Sequence, residues 1–591
     1  MCNVVVAKVS GGSAGTLRCS ERGPSGPARS AESGEQEMEF NLADLFDSVV
    51  DTVPDREALV CGDRRLTYRE LDESVNRVAH GLGSLGIGVG DHVGCYLHNS
   101  IEHILVMFAC YKLRAVPVNV NYRYVADELG LILQDADLVA LCFDRSLGAE
   151  VAASARPDCL RWLLEVDDAS DLAQSSGVQI PGAQPFEALL GSASSVRDFP
   201  ARSGDDHYVL YTGGTTGLPK GVVWRHEDIF FAAVGGGNPG GPPIERPEEL
   251  REKIVANPNQ RLTPFLAAGD PGPGEFVTMS LGPLVHASGQ WGAFGTLLGG
   301  GRLVLYPDRH MDMARVLALV ARERIGMLTL VGDASARPLL EAVEADEGVH
   351  DTSSLVLLGS GGSILSGDVK DRLLVALPSV QAVLEAIGSS ESPAQAVALA
   401  TRDTPAAASL TFAPKAETMV VDDSLTPIAP GSGVAGRLAT TGRVPLRYHN
   451  DPERSARTFV EIDGRRWSLP GDMATVDADG TIHLLGRGSM CINTGGEKVY
   501  PEEVEAVLKT HPLVADAVIV GVRDERWGER VVAVVAPMTT GDEPDLADVD
   551  AHCRGQLAGY KVPRALCVVD EVRRTPAGKP DYRWAREVAD S

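Results

Sequence analysis

No run of about 18 consecutive apolar residues occurs anywhere in the 591-residue chain, so no membrane-spanning helix is written into it. Cysteine pairs at metal-binding spacing are missing too. Ten cysteines are scattered from Cys2 to Cys567 without a CxxC pair or a His-rich cluster, so neither a zinc site nor a disulfide framework is indicated. Reduced thiols in a cytoplasm fit that pattern. Basic residues are scarce: 54 Lys and Arg stand against 81 Asp and Glu, a formal net charge of -27, which excludes a general nucleic-acid binder with its basic face. Any anionic ligand must then be met by local positive charge, because the overall field repels it. Residues 1–38, rich in Gly, Ser and Ala, lack the basic start and apolar core of a secretion signal. They are expected to form a disordered extension, with Met38 as an alternative start.

What is present is enough apolar sequence for more than one core. The chain is 44% hydrophobic and 23% charged, in the range of soluble globular proteins, and too long for one ordinary domain. From Phe40 the pattern reads helix, hairpin, helix, with Leu66, Leu71, Val75, Val78 and Leu82 at near-helical spacing. The string GLGSLG at residues 81–86 fits a dinucleotide fingerprint in letters only. It closes a helix instead of opening one after a strand, so its glycines read as helix termination. Apolar strands HVGCYL, AVPVNV and LVALCF then alternate with helical segments, which predicts an α/β fold with mostly parallel sheets. A Gly- and Pro-rich insertion at 235–274 carries the charged helical patch PEELREKI. A boundary near 486–489 divides a large domain, 39–486, from a small α/β domain, 487–591.

The chemistry is concentrated at residues 211–221, YTGGTTGLPKG. Glycines let backbone approach an anion, Thr212, Thr215 and Thr216 offer hydroxyls, and Lys220 adds a cation, so the string reads as a polyphosphate loop for ATP. It is not a Walker A motif, because Leu218 and Pro219 separate Lys220 from Gly217 and Gly221 follows where Ser or Thr belongs. The whole string resembles the phosphate loop of the adenylate-forming superfamily, which includes acyl-CoA and aryl-CoA synthetases, luciferases and adenylation domains. Gly213 stands where many of those loops carry Ser.

Four further segments resemble the superfamily's motifs in the expected order, and the resemblance covers nearly everything from Phe40 onward. In AIGSSE, 386–391, it implies that Glu391 holds Mg2+, with Thr216 as its companion, while Gly388 and Ser390 meet phosphate and Ile387 replaces an adenine-stacking aromatic. Upstream, SGGS at 360–363 resembles the turn whose Gly361, Gly362 and Ser363 lie against adenine. In WSLPGD, 467–472, Asp472 is implied to accept the ribose hydroxyls, with Arg487 assisting. The segment at 486–505, GRGSMCINTGGEKVYPEEVE, resembles the link to a small rotating domain, with Ser489 at the hinge. There Gly495 and Gly496, through backbone, and Lys498 are implied to face coenzyme A, with solvent the other reading for Lys498. Lys579 of RTPAGK, 574–579, matches the lysine that bridges the acyl carboxylate and the α-phosphate.

Five strings, among them VVWRHEDIF, ASARPLL and AGKPDYRW, resemble a narrower group of actinobacterial ligases for fatty and sterol side-chain acids. The acyl site is expected around Trp224, His286 and Gln290, with His286 either a packed gate or a proton-transfer group. Asp333 is the one acid that would grip a substrate amine. The expected reaction is acid plus Mg-ATP to acyl-AMP and pyrophosphate, then transfer to coenzyme A. No carrier domain follows the small domain, which favours coenzyme A as acceptor; a separate carrier protein, a luciferase-like oxygenase and a noncatalytic nucleotide binder are the alternatives. The last would be expected to lose Glu391, Asp472 or Lys579, and all three are present. Assembly is open, a homodimer included.

Overall fold

Alternating short apolar strands and helices wind residues 38–591 into four sheets. The computed structural model describes these residues apart from 169–179, 192, 215–216, 239–240, 257–274, 363–364, 404–410, 413–416, 495–496, 525–527, 540, 555, 558 and 576–578. The expected extension, except Met38, lies outside the described residues.

The first helix-hairpin-helix unit follows the sequence pattern. Helix Leu42–Thr52 leads into the hairpin Glu57–Cys61 and Arg64–Thr67, then helix Tyr68–Ser84. Thr67 starts that second helix with a capping box: Glu70 N donates to Thr67 Oγ1 and Thr67 N to Glu70 Oε2. Leu71, Val75, Val78 and Leu82 fall on its buried face, whereas Leu66 belongs to the hairpin. The helix stops where GLGSLG begins to turn. Gly86 has φ +78, a conformation that glycine adopts without strain.

Two eight-stranded sheets carry the parallel character predicted. In one, five parallel pairings join six strands, from Ala382–Ser389 through Leu357–Gly361, Met327–Leu330, Val277–Ser280 and Arg302–Leu305 to Glu57–Cys61, with an antiparallel strand at each edge. In the other, His207–Gly214 lies beside Val116–Asn119, His92–Tyr96 and Leu138–Asp144, all parallel, and the hairpin partner Gly217–Arg225 closes that side with Arg447–Tyr448. A third, seven-stranded sheet between Thr411 and Arg487 pairs antiparallel throughout, which the βα alternation did not predict. The fourth sheet is built only from strands after Met490, flanked by the helices Pro501–Leu508, Leu546–Arg554 and Tyr582–Ala589. One short turn, Gly488–Met490, connects the third sheet to the fourth.

Behind the second sheet, helix Ile101–Lys112 is buried along its whole length. It ends in a cation with no access to water. Lys112 Nζ donates to Asp47 Oδ1 at 2.7 Å, Asp72 Oδ1 at 2.5 Å and Asn76 Oδ1 at 2.6 Å, tying together the first three helices. Burial alone would raise the Asp47 carboxyl, but Lys112, Arg202 and Arg197 hold it below its ordinary range. A group held so tightly is costly to remove. Lys112→Met, which takes the shared cation from Asp47 and Asp72 and leaves them to Arg202 and Arg197, is expected to lower the unfolding free energy by about 3 kcal/mol in urea denaturation. A loss below about 1 kcal/mol, the worth of a surface pair, would show that the helices do not depend on this cation.

Candidate active site

The described part of the phosphate-loop sequence lies on the two paired strands of a β-hairpin. Strands His207–Gly214 and Gly217–Arg225 pair with Thr212 opposite Lys220 and Gly214 opposite Gly217, with a bulge between Thr212 and Gly214. Thr215 and Thr216 lie outside the described residues, and for Gly213, Gly214 and Gly217 the backbone alone is described. Asn119, at the end of a neighbouring strand, pins the stem. Its Oδ1 accepts from Tyr211 N at 2.7 Å, and its Nδ2 donates to the carbonyls of Tyr211 at 2.7 Å and Val285 at 2.6 Å. One buried amide therefore registers the loop against the segment carrying His286. A side chain at Gly221 would put its Cβ 2.6 Å from the Tyr211 ring, so glycine there is a packing requirement.

Glu391 occupies the turn between Ala382–Ser389 and Ser392–Ala400 and is 2% exposed. Its carboxylate pairs with Lys220, and Tyr448 Oη joins both, donating to Glu391 Oε1 at 2.6 Å and accepting from Lys220 Nζ at 2.9 Å. Backbone contacts fix the turn as well. Ser468 Oγ donates to the Glu391 carbonyl at 3.1 Å, and Trp224 Nε1 to the Ser390 carbonyl at 3.0 Å. Trp224, expected at the acid, is wholly buried and supports the Glu391 turn from below. Ser390 is half-buried and Gly388 exposed beside it.

Gly361 pairs with Ala386, so the glycine turn and the Glu391 segment start side by side. Gly362 has φ +83, which few residues other than glycine tolerate; Ser363 lies outside the described residues. Asp472 is buried and faces Arg487 across an antiparallel pair, so the two expected ribose contacts are neighbours in backbone register. Lys498 is in strand Glu497–Val499, with its side chain undescribed, and Gly495 and Gly496 lie outside the described residues.

His286 caps the start of helix Ala287–Leu297. Its Nε2 is buried without a hydrogen-bond partner among the described residues. Burial, then the positive fields of Lys579 and Arg123, push its pKa down to about 4, so Lys579 lies within electrostatic reach of His286 although some 290 positions away in sequence. Gln290, one turn on, is buried and accepts from Tyr208 Oη at 2.8 Å. Lys579 is exposed on a tight return: Thr575 N donates to its carbonyl at 2.7 Å and its own N–H to Thr575 Oγ1 at 3.2 Å. The neighbouring Arg574 fixes that return by a two-pronged pair with Asp516 at 2.6 and 2.8 Å. Burial would raise the Asp516 carboxyl, yet Lys509 and Arg574 hold it low.

Asp333 is turned to a structural task. Its oxygens accept from Ser366 N at 2.7 Å, from Ser366 Oγ and from Arg337 Nη2 at 3.4 Å. Sequence reasoning missed Asn119, Tyr448 and Arg574. For Asn119 the signal was a lone amide closing an otherwise apolar strand, VPVNV.

A loop cation paired with a buried carboxylate offers groups that could meet a triphosphate and its metal. Sequence comparison shows the family. The profile of the AMP-binding enzyme matches residues 46–446, well over half of the chain, and that of the AMP-binding enzyme C-terminal domain matches 503–579. The chain belongs to the AMP-binding enzyme family. Within this family it is 41% identical over 556 residues to the 3-oxocholest-4-en-26-oate–CoA ligase of Rhodococcus rhodochrous, covering 93% of this chain and 96% of that one. It is 42% identical over 559 residues to the medium/long-chain-fatty-acid–CoA/3-oxocholest-4-en-26-oate–CoA ligase of Mycolicibacterium smegmatis, covering 94% and 97%. In fold it resembles the anthranilate CoA ligase AuaEII in complex with anthranoyl-AMP, at a TM-score of 0.76 and 22% identity over 94% of this chain and 98% of that one.

Burial pushes His103 and His226 down to about 4, as it does His286. An unfolded imidazole titrates near ~6.5, so between those values the unfolded chain binds protons that the folded one refuses. Stability is therefore expected to fall as pH drops through this window. Urea unfolding from about pH 7.5 to about pH 5 should show that slope, and His226→Gln should reduce it by about one proton. A slope unmoved by the substitution would mean that folded His226 titrates as it does in the unfolded chain.

Proposed function

We propose that this family member is an ATP-dependent acyl-CoA ligase for a bulky or long-chain carboxylic acid, a sterol side-chain acid or a fatty acid. The observation that supports the reading is the buried junction of Lys220, Glu391 and Tyr448, with Lys579 close enough to His286 to help lower its pKa. The identity to ligases named for such acids supports the substrate class.

A hard cation suits this donor set. Among the described residues no group of three or more His, Cys, Asp or Glu side chains is placed to hold a metal, so Glu391, with Thr216 as the proposed companion, would bind Mg2+ that arrives with the triphosphate. Bound there, Mg2+ would neutralise phosphate charge. The chain's own residues do the rest. Lys220 turns to the phosphates, the glycine turn at Gly361 and Gly362 takes adenine, and Asp472 takes the ribose with Arg487. Lys579 holds the acyl carboxylate against the α-phosphorus; a carboxylate oxygen attacks, the bond to the β-phosphate bridge breaks, and pyrophosphate leaves with that electron pair. No general base is needed, because the nucleophile is already an anion, and a His286 kept neutral is suited to packing beside the acid. In the second step the thiolate of coenzyme A attacks the acyl carbon and AMP departs, with Gly495, Gly496 and Lys498 proposed at the coenzyme. The Ser366 and Arg337 bonds on Asp333 argue against an amine-gripping role and so against an amino-acid substrate. A cytoplasmic setting fits the eight described cysteines, all free thiols.

Purified protein with Mg-ATP and coenzyme A should release AMP and pyrophosphate with sterol side-chain acids or medium to long fatty acids, and far less with aryl acids or amino acids. Pyrophosphate exchange without a coenzyme A thioester would point to a carrier-protein acceptor, and silence with every acid would overturn the reading. Lys579→Ala should slow adenylate formation on the order of 10² to 10³ fold while sparing thioester formation from supplied acyl-AMP. Equal loss in both steps would remove Lys579 from the first half-reaction.

A further inference from the structure

Tyr448 belongs to none of the motifs that carry the chemistry, yet it sits at their junction. Its strand, Arg447–Tyr448, pairs antiparallel with the outgoing strand of the phosphate-loop hairpin, Tyr448 opposite Val222. The side chain is 1% exposed and its ring packs on Phe459 at 5.2 Å between centroids. Its backbone N–H donates to Ser455 Oγ at 2.8 Å, so the ring is held from behind as well. What it presents forward is a hydroxyl in contact with Lys220 Nζ and Glu391 Oε1 at once, and an aromatic face 4.5 Å from the same ammonium.

Lys220 and Glu391 neutralise one another. They part in the proposed reaction, in which Lys220 turns to phosphate and Glu391 to a divalent cation. Between releasing one cation and taking up the other, a buried carboxylate needs a hydrogen-bond donor, or its desolvation goes uncompensated. We infer that Tyr448 is a positioning residue for the first half-reaction: its hydroxyl holds Glu391 in place while Lys220 is released to the triphosphate. The bond to Oε1 leaves the Glu391 carboxylate aimed by a fixed, buried group, and the ring face gives Lys220 a path along which its charge stays partly compensated. This inference rests on the proposed roles of Lys220 and Glu391.

Tyr448→Phe deletes the hydroxyl and keeps the ring, with its packing on Phe459 and its face toward Lys220. Binding of Mn2+ in the presence of α,β-methylene ATP, followed by the loss of the free-ion electron paramagnetic resonance signal, should weaken about tenfold, as expected for one charge-assisted hydrogen bond. The KM for Mg-ATP should rise with it, while the KM for the acid and the thermal midpoint stay near those of the wild type. Phe459→Leu, which loosens the same ring without touching the hydroxyl, should do the reverse, lowering the midpoint and leaving Mn2+ affinity alone. Wild-type Mn2+ binding matched by Tyr448→Phe would overturn the inference, as would a loss of affinity in both variants in proportion to their loss of stability. Failure of the wild type to bind Mn2+ with the nucleotide would instead overturn the roles given to Lys220 and Glu391, and the inference with them.

Discussion

The pairing of Lys220 with Glu391 is the contact on which the site depends, because it is made where three sheets meet. The carboxylate comes from an edge turn of the first sheet and the lysine from the hairpin closing the second, while Ser468 of the third sheet holds the backbone carbonyl of the same glutamate. None of these sheets could shift against the others without opening that junction. Tyr448 and Trp224, both buried, lock it from two sides, one at the charges and one at the adjacent carbonyl. The acidic surface makes the arrangement more important, since with a net charge of -27 the positive potential a triphosphate needs has to be local.

Much of this was legible in the chain because local pattern and tertiary role coincide. Strands Leu138–Asp144 and Gly528–Pro537 each carry a continuous apolar run, LVALCF and VVAVVAP, as strands covered on both faces do, and they fall where the runs are. The proposed phosphate loop stands out in the sequence for a different reason: close approach of backbone to an anion restricts residue type at many consecutive positions. The antiparallel third sheet left no such mark. Its strands are short, one of only two residues, and its pairings, such as Gly436 with Ala474, join segments far apart in sequence. Trp224 shows the limit for side chains. A large aromatic just after a ligand loop reads as a pocket wall, and only the packing reveals that its face of the strand points inward.

Asn119, Arg574 and Asp516 make a related point. Each acts through a partner distant in sequence: Asn119 through Tyr211 and Val285, Arg574 through Asp516. No spacing rule connects residues 92 or 166 positions apart, whereas Lys579 stood out because it has its own motif around it. The groups proposed to touch ligand are thus easier to read in a sequence than the groups that hold them in place.

The join between the third and fourth sheets has a mechanical property of its own. Gly486 sits at φ +111, and a Cβ built there would fall on the carboxylate of Glu502, near the start of the helix Pro501–Leu508. That glycine is the last but one residue of its strand, and a three-residue turn follows almost at once. Only a residue without a side chain lets the end of that strand pass so close to Glu502, so the join between the two sheets is fixed by steric fit as well as by chain connection.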